Sequence, residues 1–153
     1  MDARFINPVL NSIVDILVTM AHMQPAPGKP ALKSGVQARG VVTGMIAMNS
    51  PQATGSIAIS FSKPVIVEIV KKMLKMEIGE VDDMARDLVG EISNMMAGGA
   101  KARLEDGGFD FELSLPTVVA GESHAVTHAV EGPVIVLPFT TNSGEFFVEL
   151  CFS

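Results

Sequence analysis

The chain has 153 residues, of which 48% are hydrophobic and 18% are charged, and its formal net charge is −6. This composition excludes a disordered chain, and the length predicts one domain spanning residues 1–153. The scattered basic residues exclude a nucleic-acid surface, and the single cysteine, Cys151, excludes an intrachain disulfide and a cysteine-based zinc site.

No stretch of the chain matches the roughly 20 apolar residues that a membrane-spanning helix needs. The best candidate, residues 13–23, is too short and contains Asp15 and His22. Residues 1–4 lack the basic run that opens a secretory signal. We therefore expect a cytoplasmic protein that does not bind a membrane.

The first half of the chain predicts a helix followed by a β-hairpin. Apolar residues recur at helical spacing over residues 7–23, with Asn7 as the N-cap and Pro8 in the first turn, where its missing N–H costs nothing. Residues 36–48 and 55–61 are rich in strand-forming residues, and the second run alternates polar and apolar side chains. These two runs predict an antiparallel hairpin.

Two further helices and a strand-rich tail complete the prediction. The second helix starts near Ser62 or Pro64, and the third starts near Asp82 and runs to about Leu104. Four strands are predicted after it, at residues 111–119, 124–130, 134–140 and 145–152. The order of elements predicts an α+β fold, in which a mostly antiparallel β-sheet packs against long helices.

The third predicted helix has two distinct faces. At about 100° per residue, Met84, Leu88 and Ile92 fall on one side, which we expect to face the core. A second face carries a carboxylate and a carboxamide in one exposed row with a glycine and a cation. Its members are Asp87, Glu91, Asn94, Gly98 and Lys101.

This helix also contains residues that disfavour helices. Glycine costs about 1 kcal/mol relative to alanine in a helix interior, and Gly90, Gly98 and Gly99 occur close together here. Two explanations remain open. Either another protein surface approaches beside the polar pair, or the glycines serve helix-on-helix packing while Glu91 and Asn94 are simply solvated.

The spacing of Asp87, Glu91, Asn94 and Gly98 fits a known pattern of Asp or Ser, three residues, Glu, two residues, Asn, three residues, and Asn or Gly. It resembles the signature helix of the CheX and CheC phosphatases, a family that includes FliY-type proteins. The resemblance covers almost the whole chain, including residues 5–8, 28–30, 55–61, 116–119 and 138–139.

The resemblance implies a CheC/CheX-like fold and a function. That function is hydrolysis of the aspartyl phosphate of a CheY-like response regulator, in chemotaxis or related two-component signalling. Asn94 would orient the attacking water, and Glu91 would pair with the regulator's active-site lysine, which makes these two the catalytic residues. We assign partner contact to four further residues: Asp87, Gly98, Gly99 and Lys101.

The resemblance also implies which other molecules take part. The partner is a phosphorylated CheY-like regulator, and the Mg²⁺ belongs to that regulator, so we expect no cofactor, metal or small-molecule substrate for this chain. A homodimer formed through β-strands is implied as well. The CheC branch carries two such motifs, but here Arg4 replaces the glutamate before Asn7 and Asn11, so we expect one active site per chain.

Other chemistries fit the sequence less well. Asp83, Asp87 and Glu91 are spaced for one helix face, but such carboxylates rarely bind a metal without further ligands. His124 and His128 lie in a predicted strand, so we expect surface or hydrogen-bonded histidines. Two rival functions remain open: a non-catalytic adaptor that binds a phosphorylated regulator, and a scaffold module that acts through oligomerisation.

Overall fold

The fold is taken from a computed structural model that describes residues 3–153. Met1 and Asp2, part of the segment compared above with a secretory signal, lie outside the described residues. The helices are α1 (Ala3–Ala21), α2 (Lys63–Leu74) and α3 (Asp83–Asp106). The strands are β1 (Ala26–Pro27), β2 (Ala31–Leu32), β3 (Val42–Asn49), β4 (Thr54–Phe61), β5 (Glu112–Leu113), β6 (Thr117–Ala120), β7 (Ile135–Thr141) and β8 (Gly144–Phe152).

These strands form one antiparallel sheet. Its order is β1-β7-β8-β4-β3-β5, with β2 also paired to β7 and β6 also paired to β3. The predicted hairpin is confirmed as β3 and β4, in which Ile46 lies opposite Ile57, although β3 begins at Val42 rather than at residue 36. The helices pack against one face, where Ile46, Ile57 and Val148 are buried in the main core. The predicted α+β architecture is therefore confirmed.

α1 begins earlier than predicted, at Ala3 rather than Asn7, so Pro8 lies inside the helix. Pro8 has no N–H to donate to the preceding turn. The first turn is nevertheless helical because Phe5 is buried and stacks on Phe152, with ring centroids 4.6 Å apart. Burial of this ring offsets the missing hydrogen bond, which local sequence rules do not consider.

Because α1 begins at Ala3, it is longer than residues 13–23, the stretch that the sequence offered as the best candidate for a membrane-spanning helix. Within residues 3–153, α1 alone is long and apolar enough to span a membrane, with 19 residues and a mean hydropathy of 1.2. In this fold its apolar stripe faces inward, and Val9, Ile13 and Leu17 are fully buried. The core of the protein accounts for the apolar character of α1.

The boundaries of α2 and α3 follow the sequence signals closely. Ser62 precedes α2, which ends where Lys75 adopts a left-handed conformation with φ of 58°. Asp82 caps α3, and its carboxylate accepts a hydrogen bond from the Ala85 N–H at 2.9 Å. Both predictions are confirmed.

The tail differs from the prediction in two places. The predicted strand 111–119 is interrupted before β6 by Pro116, which cannot donate a ladder hydrogen bond. The predicted strand 124–130 is wrong, because this segment crosses the other face of the sheet as a loop. Buried side-chain bonds hold it there, and its described β-pairing is one bridge between Gln37 and Ala125.

A glycine in β3 sets the position of α3 on the sheet. A Cβ atom at Gly44 would collide with the Ser93 hydroxyl and come within 3.0 Å of Val89. The Ser93 hydroxyl donates to the Val89 carbonyl at 2.7 Å, so it is held in place. This close contact buries the inner face of α3, and the opposite face is left toward solvent.

Candidate active site

The exposed face of α3 carries the predicted catalytic pair. Glu91 and Asn94 are both exposed, whereas their neighbours Ile92 and Ser93 are buried. The helix runs without a break from Asp83 to Asp106, so the two side chains are about one turn apart on one rigid element. Both can be reached by a partner protein.

The side chains of Glu91 and Asn94 make no polar contact within the described part of the chain. Within the described residues 3–153, the side chains of Glu91 and Asn94 have no hydrogen-bond or ion-pair partner. An unpaired carboxylate can accept hydrogen bonds from a cation, and an unpaired amide can both donate and accept. The pair is therefore free to interact with groups that another molecule supplies.

An open groove of about 410 Å³ runs beside this pair. One wall is α3, and the other is formed by Pro116, just before β6, and by Val118 within β6. Asp87 lies in the α3 wall and is itself exposed. The lining residues are Arg86, Asp87, Gly90, Glu91, Asn94, Pro116 and Val118.

The three glycines of α3 have different surroundings. A Cβ atom at Gly98 would meet no heavy atom within 4 Å, so packing within the chain does not require this glycine. A Cβ atom at Gly99 would collide with the Ser12 hydroxyl of α1, and one at Gly90 would lie 3.6 Å from Val118, an ordinary contact. Helix packing thus accounts for Gly99, whereas Gly98 faces open space.

Lys101 has a partner within its own helix. Its ammonium group donates to Glu105 at 2.6 Å, one turn further along. This hydrogen bond raises the pKa of Lys101. The side chain is thus directed toward the C-terminal end of α3 rather than toward Asp87.

Sequence reasoning missed the second wall of the groove. Pro116 and Val118 contribute to it, and Arg86 extends the α3 wall. The only sequence signal was the resemblance noted for residues 116–119, which carried no functional assignment. Their placement depends on a loop conformation that periodicity does not predict.

The two histidines of the loop are buried and hydrogen bonded. His124 donates from Nδ1 to the Gly121 carbonyl at 2.9 Å, and its Nε2 forms a hydrogen bond with the Thr43 hydroxyl at 2.6 Å. His128 donates from Nε2 to Glu149 at 3.0 Å. Neither histidine lies on α3. Among residues 3–153, no group of three or more His, Cys, Asp or Glu side chains is arranged to hold a metal ion.

The corresponding face of α1 differs from that of α3. Asn7 and Asn11 are exposed there. Arg4 stands in place of a glutamate, and its guanidinium lies 5.5 Å from the ring centroid of Phe109. The α1 face therefore presents amides beside a cation rather than beside a carboxylate.

The fold and the α3 face define a class of protein: an α+β domain that presents an unpaired Glu-x-x-Asn pair on a rigid helix. The model of the family described as Chemotaxis phosphatase CheX matches residues 42–140, more than half of the chain. The chain belongs to the CheX family.

Similarity to individual proteins extends beyond the matched region. The CheY-P phosphatase CheX of Thermotoga maritima is 29% identical over 148 residues, which cover 96% of this chain and 94% of that protein. A CheC-like superfamily protein from Shewanella sp. PV-4 has a TM-score of 0.93 and 43% identity, covering 100% of this chain and 99% of that one. CheX in a CheX–CheY–BeF3–Mg²⁺ complex from Borrelia burgdorferi shares the fold, with a TM-score of 0.80, 24% identity and coverage of 97% of each chain.

Proposed function

We propose that this chain is a phosphatase that hydrolyses the aspartyl phosphate of a CheY-like response regulator, in chemotaxis or related two-component signalling. The observation that carries the proposal is the exposed, unpartnered pair of Glu91 and Asn94 on the unbroken helix α3. The activity named for the Thermotoga relative supports it.

Asn94 is the residue that acts on the water. An aspartyl phosphate is already a reactive acyl phosphate, so the phosphatase needs only to hold a water in line with the phosphorus atom. The Asn94 amide can accept a hydrogen bond from that water and donate one to the phosphoryl group. The water oxygen bonds to phosphorus, the aspartate carboxylate leaves, and inorganic phosphate is released without a covalent intermediate on this chain.

Glu91 is the residue that fixes the register. Its carboxylate pairs with the regulator's active-site lysine, which places Asn94 one turn away against the phosphoryl group. Asp87 lies in the same groove and contributes to partner contact. Gly98 gives the regulator room to approach, since no side chain of this chain lies within 4 Å of its Cβ position.

The proposal also specifies where the Mg²⁺ is bound and in what assembly the chain acts. The regulator supplies the Mg²⁺ that neutralises the phosphoryl charge, and the presence of CheY, BeF3 and Mg²⁺ together with CheX in the Borrelia complex supports this. This chain needs no cofactor and no small-molecule substrate of its own. It acts as a single CheX-like domain, in the cytoplasm, as a homodimer joined through β-strands.

The proposal is tested by replacing Asn94. We expect Asn94→Ala to lower the stimulated release of phosphate from an acetyl-phosphate-loaded CheY-like regulator by about 100-fold, the cost of losing a key positioning group. The matched control is Asn7→Ala on α1, which is also exposed and should keep wild-type activity. Circular dichroism and the melting temperature check that both variants fold.

Three outcomes would contradict the proposal or a part of it. Binding of the phosphorylated regulator by the wild-type chain without faster phosphate release would make the chain an adaptor. Full activity in Asn94→Ala would remove this residue from the reaction. Loss of activity in Asn7→Ala would contradict the assignment of one active site per chain.

A further inference from the structure

One apolar side chain stands out beside the groove. Leu115 is 86% exposed, the highest value among the exposed large hydrophobic residues of the described chain. It lies in the segment between β5 and β6, immediately before Pro116, which lines the groove. An isolated exposed leucine is common on protein surfaces, so its surroundings decide whether it has a role.

The backbone on both sides of Leu115 is held in place. The preceding residue, Ser114, donates its N–H to the Ala47 carbonyl at 3.0 Å, and its hydroxyl accepts from the Ala47 N–H at 2.9 Å. The Ser114 hydroxyl also donates to the Leu115 carbonyl at 3.1 Å. On the other side, Pro116 restricts the backbone of Leu115 to extended conformations.

The same segment is packed against the turn of α3 that carries Glu91. A Cβ atom at Gly90 would lie 3.8 Å from Pro116 and 3.6 Å from Val118, which places this segment against the helix. Gly90 itself is buried beneath it. The backbone of Leu115 therefore lies beside the groove, next to Pro116 in the wall opposite the catalytic pair.

We infer that Leu115 is a docking residue, which inserts into an apolar depression on the response regulator while Asn94 reaches its aspartyl phosphate. This inference rests on the proposed function. The groove is continuous from α3 to the β5–β6 segment, so a protein that covers Glu91 and Asn94 also meets the segment that holds Leu115. The backbone of Leu115 is already ordered, so less conformational freedom is lost on binding, which favours this residue as an interface anchor.

The role of Leu115 differs from that of Asn94 and can be measured separately. Leu115 touches no reacting atom, so its removal should weaken binding and leave the chemical step unchanged. We expect Leu115→Ser to weaken the affinity for a BeF3-loaded CheY-like regulator about tenfold, as expected for an interface leucine that becomes buried. The Michaelis constant for the phosphorylated regulator should rise by a similar factor, with kcat unchanged.

Two further variants sharpen the experiment. Leu115→Met keeps an apolar side chain of similar volume and should restore binding to near the wild-type value. Leu32→Ser changes another exposed leucine, which is 67% exposed and belongs to β2 at the opposite end of the sheet, and should leave binding unchanged. The chain has neither tryptophan nor tyrosine, so titration calorimetry is the suitable measurement.

The outcomes separate this inference from the proposed function. If Asn94→Ala is inactive but Leu115→Ser binds and turns over like the wild type, the inference is wrong and the proposed function stands. If Leu115→Ser instead lowers the proportion of dimer in sedimentation runs while a monomer binds the regulator normally, the occupant is a second copy of this chain and the inference is also wrong. A tenfold weaker affinity with unchanged kcat and unchanged dimerisation supports it.

Discussion

At the scale of single residues, the most unusual feature outside the active site is a buried charged cluster on the sheet face opposite the helices. Lys33 donates to Glu149 at 2.8 Å, and His128 donates to the same carboxylate at 3.0 Å. The side chains of all three are at most 4% exposed. Burial acts to raise the pKa of Glu149, but the hydrogen bonds from His128 and Lys33 outweigh it and lower the pKa.

This cluster predicts a pH-dependent contribution to stability. Because the pKa of Glu149 is lower in the folded chain, its contribution is fully present above the ordinary value of about 4.5 and is lost as the pH falls through the folded value. Glu149→Gln leaves Lys33 buried without a counter-charge, so we expect a loss of about 3 kcal/mol near neutral pH. That loss should shrink in acid, where wild-type Glu149 is protonated.

Urea unfolding of the wild type and Glu149→Gln, at several pH values from about 7 down to about 2, well below the ordinary pKa of a glutamate, measures this difference. A difference that stays constant over the whole range would show that the ionisation of Glu149 does not contribute to stability. Phosphatase activity near neutral pH should be unaffected as long as the variant is folded, since the cluster and the groove lie on different parts of the molecule.

At the scale of secondary-structure elements, a substitution in α3 should affect folding stability and the proposed docking of the regulator in opposite directions. Gly98 lies in the helix interior, and an alanine Cβ there would meet no atom of this chain. Gly98→Ala should therefore raise stability by about 1 kcal/mol. The same methyl group should weaken regulator binding, because it would fill the space that the docked partner uses.

Thermal unfolding and calorimetric titration with a BeF3-loaded regulator test both halves of this prediction. The comparison variant is Gly99→Ala, whose methyl group would collide with Ser12 and should lower stability by about 1–3 kcal/mol. A more stable Gly98→Ala variant with wild-type affinity would show that clearance at this position is not needed.

The elements also show what could be predicted from sequence. α3 was predictable because its cap at Asp82 and its apolar periodicity are local signals, and these also placed Glu91 and Asn94 on one face. The loop at residues 124–130 was not, since its alternating apolar residues imitate a strand while its position depends on the distant bonds of His124 and His128. The second wall of the groove depends on similar long-range contacts, at Ser114 and Pro116.

At the scale of the whole molecule, the sheet has two ends at which strands can pair with another chain. β5 and β6 lie at one end, and β1 and β2 lie at the other. Backbone N–H and C=O groups on such edges favour strand addition. We expect sedimentation equilibrium to give twice the 16.2 kDa of one chain. A single-chain mass at all concentrations tested would contradict the proposed homodimer.

The whole fold also explains how the elements around the proposed site are held together. Gly44 lets α3 approach the sheet, α1 packs against α3 at Gly99, and the β5–β6 segment closes the groove. The order of the three helices and of β3, β4, β7 and β8 was predictable from sequence, but this arrangement around the groove required the tertiary contacts. The sequence resemblance pointed to Glu91 and Asn94 as the proposed catalytic pair, and the structure supplies the surface around them.

The most direct measurement of the central claim is the single-turnover loss of phosphate from a radiolabelled CheY-like regulator at saturating concentrations of this chain. The account predicts that the wild type accelerates this loss well above the regulator's own rate, and that Asn94→Ala slows it by about 100-fold while the affinity for the BeF3-loaded regulator changes little. A wild-type rate constant in Asn94→Ala would contradict the account.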